Sequence, residues 1–197
     1  MMNGRRAAGP RPGQTFDREP ARRVFAAELR EVRYEFPRGE EEKSPSFVLL
    51  PTGERCNRIL LVGTLTEKER RGDQNVFYRA RIADPTGTFF LMAGSYQPEA
   101  MQQIARIEPP AFVAVIGKPN LFESQPGSML VSVRAESVTT VDRETRDLWV
   151  LDAARATLGR LEDQGKTEDS KLAQDQYRID PAAYRKMVYD ALAQLKI

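Results

Sequence analysis

The chain has 197 residues, 41% of them apolar, and its 30 Lys and Arg against 28 Asp and Glu leave a net charge of +2. It holds no His and a single Cys, Cys56. That excludes imidazole acid/base catalysis, His-based metal sites, an intramolecular disulfide and a multi-cysteine zinc site. No apolar run approaches the ~20 residues that span a bilayer, and so little cysteine fits a reducing compartment.

The charge is unevenly placed. Residues 1–34 carry 8 basic and 4 acidic groups, residues 35–55 carry 3 and 5, residues 56–142 carry 9 and 9, and residues 143–197 carry 10 and 10. Only the start is clearly basic. Residues 1–16, with Arg5, Arg6 and Arg11, read as a flexible basic arm, either a solvated tail or one that touches phosphates. No apolar core follows Met1 to Gly13, so no export signal is expected and the cytoplasm is the expected compartment.

Residues 17–55 read as a helix and an extension. Asp17 suits an N-cap and Pro20 the first turn, and Val24, Phe25, Leu29 and Val32 recur at helical spacing, which predicts a helix over about 18–31. An acidic loop, PRGEEEKSP at 37–45, leads to SFVLLP at 46–51, a short strand or packed extended segment.

Residues 56–142 carry most of the information. RILLVGTL at 58–65 reads as a strand whose internal glycine suits a bend or bulge. A polar loop at 67–74 precedes a second strand at 75–83. Asp84-Pro85-Thr86-Gly87 matches a type I turn, a role that accounts for Asp84, and TFFLMA at 88–93 returns as a third strand. A helix follows at 98–107, with Met101, Ile104 and Ile107 on one side. FVAVIG at 112–117 is a fourth strand, KPNLFESQPGS at 118–128 a loop, and MLVSVRAESV at 129–138 a fifth strand. Strand, strand, strand, helix, strand, strand is the order of a mainly β, five-stranded Greek-key OB-fold barrel; other small barrels and mixed α+β folds share it.

Asp142 caps a helix over residues 143–163 whose stripe is Leu148, Leu151, Ala154, Leu158 and Leu161. A closed barrel leaves this stripe in need of another surface: the barrel exterior, the last helix, or a partner subunit. Residues 164–179 read as a polar linker. Residues 180–197 hold an amphipathic helix with Pro181 at its first position and a stripe of Tyr184, Met187, Val188, Ala191, Leu192 and Leu195.

Strand alternation then locates candidate chemistry. Phe77, Arg79 and Arg81 form one set of the second strand, and two arginines do not suit a barrel core. Phe89 and Leu91 make the better core pair in the third strand, which sends Phe90 and Met92 outward. The outer hairpin face thus offers aromatic, sulfur and guanidinium groups, where OB-folds take single strands. Arg70 and Arg71 of the first loop and Lys118 and Phe122 of the last extend this candidate DNA-binding set. The competing reading makes Arg79 and Arg81 solvated charges and packs Phe90 under the N-terminal helix, and a one-residue slip exchanges Phe89 for Phe90. No catalytic pair or phosphate-loop spacing is found, and Glu40, Glu41 and Glu42 read as solvated loop charge; neither an enzyme nor a metal site is expected.

Three segments, VLLPTGERCNRILLVGTLTE at 48–67, YRARIADPTGTFFLMAGSYQPEA at 78–100 and EPPAFVAVIGKP at 108–119, are similar to the archaeal replication protein A-associated OB-fold proteins, which look related to the middle subunit of replication protein A. ARRVFAAEL at 21–29 fits the same family's N-terminal helix. The resemblance covers roughly residues 18–142. It implies an accessory OB-fold subunit in a hetero-oligomer with a larger replication protein A chain, acting on single-stranded DNA in replication and repair, without cofactor or reaction. It also implies that the post-barrel helix, through Leu148, Leu151, Leu158 and Leu161, joins the subunits. The rival expectation is a structural subunit whose barrel makes protein contacts only.

Overall fold

A computed structural model describes residues 19–37 and 45–195; the basic arm, Asp17 and the Glu40–Glu42 run lie outside the described residues. The barrel is built from β5 (Ile59–Arg71), β6 (Phe77–Asp84), β7 (Gly87–Gly94), β8 (Ala111–Gln125) and β9 (Ser128–Thr140). The sheet runs β5-β6-β7-β9-β8 and closes where β8 pairs back onto β5. Helix α2 (Pro98–Arg106) lies between β7 and β8. This connectivity is the five-stranded OB-fold.

Closure depends on β5 serving two neighbours. Its first half pairs with β8 from Ile59↔Gly117 to Leu65↔Ala111, and its second half pairs with β6 as far as Arg71↔Phe77. The strand must bend between them. Gly63 allows this: a Cβ there would lie 2.4 Å from the Ala83 carbonyl oxygen. The expected glycine bend is therefore a close approach of two backbones.

Both long barrel loops expected from polar composition are largely strand, leaving turns only beyond Arg71 and at Pro126–Gly127. β5 runs on through 67–71, and β8 and β9 continue into a long hairpin across the expected loop at 118–128. Polar, exposed residues form a ladder there because each backbone finds a partner strand, whatever the side chains contribute.

The N-terminal segment also departs from expectation. Arg22–Arg23 (β1) pairs in parallel with Ile59–Leu60, so the expected long helix shrinks to α1 (Ala26–Arg30). An open strand edge outcompetes helix propensity here. The hairpin turn caps α1 from 58 residues away. The Asp84 carboxylate accepts from Ala26 N at 2.6 Å, and also from the Thr86 backbone and hydroxyl and from Gly87 N. Burial pushes the Asp84 carboxyl up from its ordinary range, and these donors partly offset that. Its turn role was thus only half of what Asp84 does.

A small sheet of β2 (Tyr34–Glu35), β3 (Val48–Leu49) and β4 (Arg55–Cys56) sits beside the barrel. Against it docks α4 (Glu168–Tyr177), in the span expected as a linker. Thr167 and Ser170 cap it reciprocally. The Tyr177 hydroxyl donates to the Leu49 carbonyl at 2.6 Å and accepts from the N–H groups of Arg33 and Tyr34.

Helix α3 (Arg143–Glu162) lies along the barrel. Its buried side chains are Trp149, Val150, Ala153, Ala154, Thr157 and Leu161. Trp149 donates its indole N–H to the Leu60 carbonyl at 3.0 Å and meets Phe25 edge-on at 5.6 Å. At the other end Arg160 reaches the fully buried Glu28 at 2.9 Å, with Thr52 and Thr157 completing the network. Burial opposes the Arg160 charge, but Glu28 and Glu54 together outweigh it and hold the guanidinium above its ordinary value. Helix α5 (Pro181–Leu192) packs on α3 and buries Tyr184, Val188 and Ala191.

Candidate nucleic-acid interface

The register of the β6–β7 hairpin buries Ala80, Ile82, Phe89, Leu91 and Ala93. Phe77, Arg79, Arg81, Phe90 and Met92 therefore stand on the outer face. Arg79 faces Met92 and Arg81 faces Phe90. Beyond β7, Phe90 pairs with Ser132 and Met92 with Arg134. The Arg79 guanidinium lies 4.1 Å from the centre of its diagonal neighbour, the Phe90 ring, and Arg81 lies 5.6 Å from it. Both are within cation–π range.

The β8–β9 hairpin stands beside this face. On one of its sides Lys118, Asn120 and Phe122 of β8 face Arg134, Ser132 and Leu130 of β9. Between the two hairpins lies a groove of about 980 Å3. Arg30, Arg71, Arg79 and Arg134 line it, and no acidic side chain does among the described residues. Phe77, Phe90, Met92, Phe122 and Leu130 supply its apolar surface. Glu67, Glu69 and Glu108 are instead held in ion pairs with Arg81, Arg71 and Lys68. Because Glu69 engages Arg71, it is Arg30, Arg79 and Arg134 that leave the groove locally cationic.

Of the residues expected from sequence, Phe77, Arg79, Phe90, Met92, Phe122 and Arg71 converge on this groove. Arg81 does not line it; its charge is engaged by Glu67 at 3.0 Å. Arg70 stands opposite Tyr78 on β5 and does not line the groove either. Lys118 borders a neighbouring depression. Arg30, Arg134, Asn120, Leu130 and Ser132 were missed. Reading 118–128 as a loop hid the alternation that brings the β8 and β9 residues together. The Pro126-Gly127 pair between two periodic runs is the turn signal that reveals it.

The expected association stripe on α3 is only partly outward. Leu161 is 4% exposed and Leu158 packs against the core, whereas Leu148 is 57% exposed and Leu151 half-buried. The helix is apolar over more than one face, and the face through Trp149 and Ala153 is the one the barrel takes.

Among the described residues no group of three or more His, Cys, Asp or Glu is placed to hold a metal ion, and no helix is long and apolar enough to cross a membrane.

No protein-family model and no curated protein matches this chain. Solved structures do. One chain of the Stn1–Ten1 complex of S. pombe superimposes with a TM-score of 0.52 at 14% identity, covering 80% of this chain and 99% of that one. The second single-stranded DNA binding protein of Mycobacterium smegmatis gives a TM-score of 0.37 at 19% identity, over 44% of this chain and 87% of that one. A mitochondrial single-stranded DNA binding protein from S. cerevisiae gives 0.36 at 12% identity, over 44% and 94%. The first of these likenesses covers more of the chain than the barrel strands and α2 alone, which occupy residues 59–140.

Proposed function

We propose that this chain binds single-stranded DNA along the groove between its two hairpins. We further propose that it does so as an accessory subunit beside a larger replication protein A chain, in archaeal replication and repair. The observation that carries the first part is the lining: four arginines, four phenylalanines, of which Phe77, Phe90 and Phe122 stand outside the core, and no acid among the described residues. Unstacked bases gain from aromatic platforms, and arginines meet phosphates or base planes. The reading requires no cofactor and no reaction. The subunit role is supported by the resemblance of residues 48–67, 78–100 and 108–119, and by Leu148, which stays exposed on α3 for a partner.

A second reading, a barrel used for protein contacts only, is favoured by Met129 and Leu130, two exposed apolar residues near the β8–β9 turn. Fluorescence anisotropy with labelled oligothymidylate, set against a duplex of equal length, tests the choice. The first reading expects preference for the single strand, by the purified chain or by its complex. Absence of single-strand binding by both would overturn it.

A further inference from the structure

A second depression, of about 1070 Å3, adjoins the groove, and Arg134 and Gln97 line both. Three features of it serve no evident purpose in the fold. Tyr96, just before α2, is 94% exposed and has no ring or hydrogen-bond partner among the described residues. Lys118 stands directly opposite Arg134 across the β8–β9 ladder, and neither is ion-paired among the described residues. Like charges facing each other in a ladder are unfavourable. Asn57 is buried, 7% exposed, at the edge of the same depression, and its Oδ1 lacks a hydrogen-bond partner among the described residues. A buried acceptor left unpaired is costly to a folded protein.

The other charges there are accounted for differently. Arg58 is held by Glu136 at 2.6 Å, and Glu19 and Glu99 also line the depression. This mixed lining does not suit a polyanion running through it. It suits a single phosphate at the mouth, where Lys118 and Arg134 meet, with an uncharged ring beyond.

We infer that the depression is an end subsite for the same single strand. One backbone phosphate relieves the Lys118–Arg134 repulsion, and the next base stacks on Tyr96 with its N–H edge turned toward the Asn57 amide. This rests on the groove reading and extends the strand's path past Arg134. It assigns Tyr96, Lys118 and Asn57 to the interface and takes Lys118 out of the groove proper.

The test compares oligothymidylates of about 4 and about 12 nucleotides, at the short end and toward the long end of the site sizes OB-folds use. Wild type, Tyr96→Ala and Lys118→Ala are titrated with both, and circular dichroism checks folding. The expected result is a loss of about 5- to 150-fold for the long strand on Tyr96→Ala, the range that stacking of one base supports. Lys118→Ala gives a smaller loss, and the short strand binds both variants as it binds wild type. Wild-type affinity of both variants for the long strand overturns the subsite and leaves the groove standing, as for a depression that takes a peptide instead. An equal loss for both lengths also overturns it, because the residues then belong to the groove. Failure of wild type to bind either strand, both alone and in its complex, removes the groove reading itself, and the subsite with it.

Discussion

The Arg79 guanidinium covers the Phe90 ring at 4.1 Å across the diagonal of the β6–β7 ladder. On the proposed single-strand reading, a base arriving in the groove meets a cation already seated on an aromatic face. It stacks on the guanidinium plane or takes the guanidinium's place on the ring, and both partners contribute either way. Stacking on such a platform is worth about 1–3 kcal/mol per base. Phe90→Ala and Arg79→Ala are each expected to weaken single-strand binding by about that amount, with unchanged circular dichroism because both side chains lie outside the core. Arg81→Ala is expected to cost less, since Glu67 already engages that charge. Anisotropy titrations rank the three, and an Arg81 effect as large as that of Arg79 would contradict the assignment.

Four arginines line the groove. With two to four of them meeting phosphates, at about −0.7 each for a single strand, log K is expected to fall with log salt at a slope of roughly −1.5 to −3. Arg134→Ala is expected to flatten that slope by about 0.7. A slope unchanged by the substitution means that Arg134 meets no phosphate.

The barrel was legible because its signals are local. Alternation in 75–83 and 88–93, the turn at Asp84–Gly87 and the bend at Gly63 each express backbone chemistry that a few neighbouring residues determine. The remainder depends on distant partners. Arg22 and Arg23 form strand because β5 offers an edge. Glu28 is buried because Arg160, 132 residues away, neutralises it. Thr157 lies on the buried face of α3 because its hydroxyl meets Glu28. Two polar residues that hide each other leave no trace in hydrophobic periodicity. The same holds for half of the groove, where Arg30 and Arg134 come from elements whose positions the turn and the β8–β9 hairpin decide.

Cys56 is buried within β4 of the small sheet, and burial, reinforced by Glu54, pushes its thiol from an ordinary 9.0 up to about 12. The folded state thus holds the proton more tightly than the unfolded chain does. The stability this confers is fully present below pH 9.0 and is lost as pH rises from there to about 12. Each unit of the shift corresponds to about 1.4 kcal/mol. Urea midpoints measured from pH 8 upward are expected to fall, and Cys56→Ala is expected to remove part of that slope. A thiol reagent is expected to label Cys56 only after unfolding. Rapid labelling in native buffer would contradict the burial.

Helix α3 separates two roles that its leucines seemed to share. Leu161 is 4% exposed and closes the core near the Glu28–Arg160 network, whereas Leu148, at the other end of the helix, is 57% exposed. Leu161→Ala empties a packed site and is expected to cost about 2–5 kcal/mol of stability. Leu148→Asp adds charge where water already reaches, so the fold is expected to tolerate it within about 0.5 kcal/mol. If a partner subunit docks on the outer side of α3, this substitution places an unpaired charge in that interface and is expected to abolish co-elution, while single-strand binding by the isolated chain is retained. Thermal melts followed by size-exclusion chromatography with the proposed larger subunit separate the effects. Continued co-elution of Leu148→Asp would move the partner surface off α3, with the exposed Tyr189 on α5 as the next position to substitute.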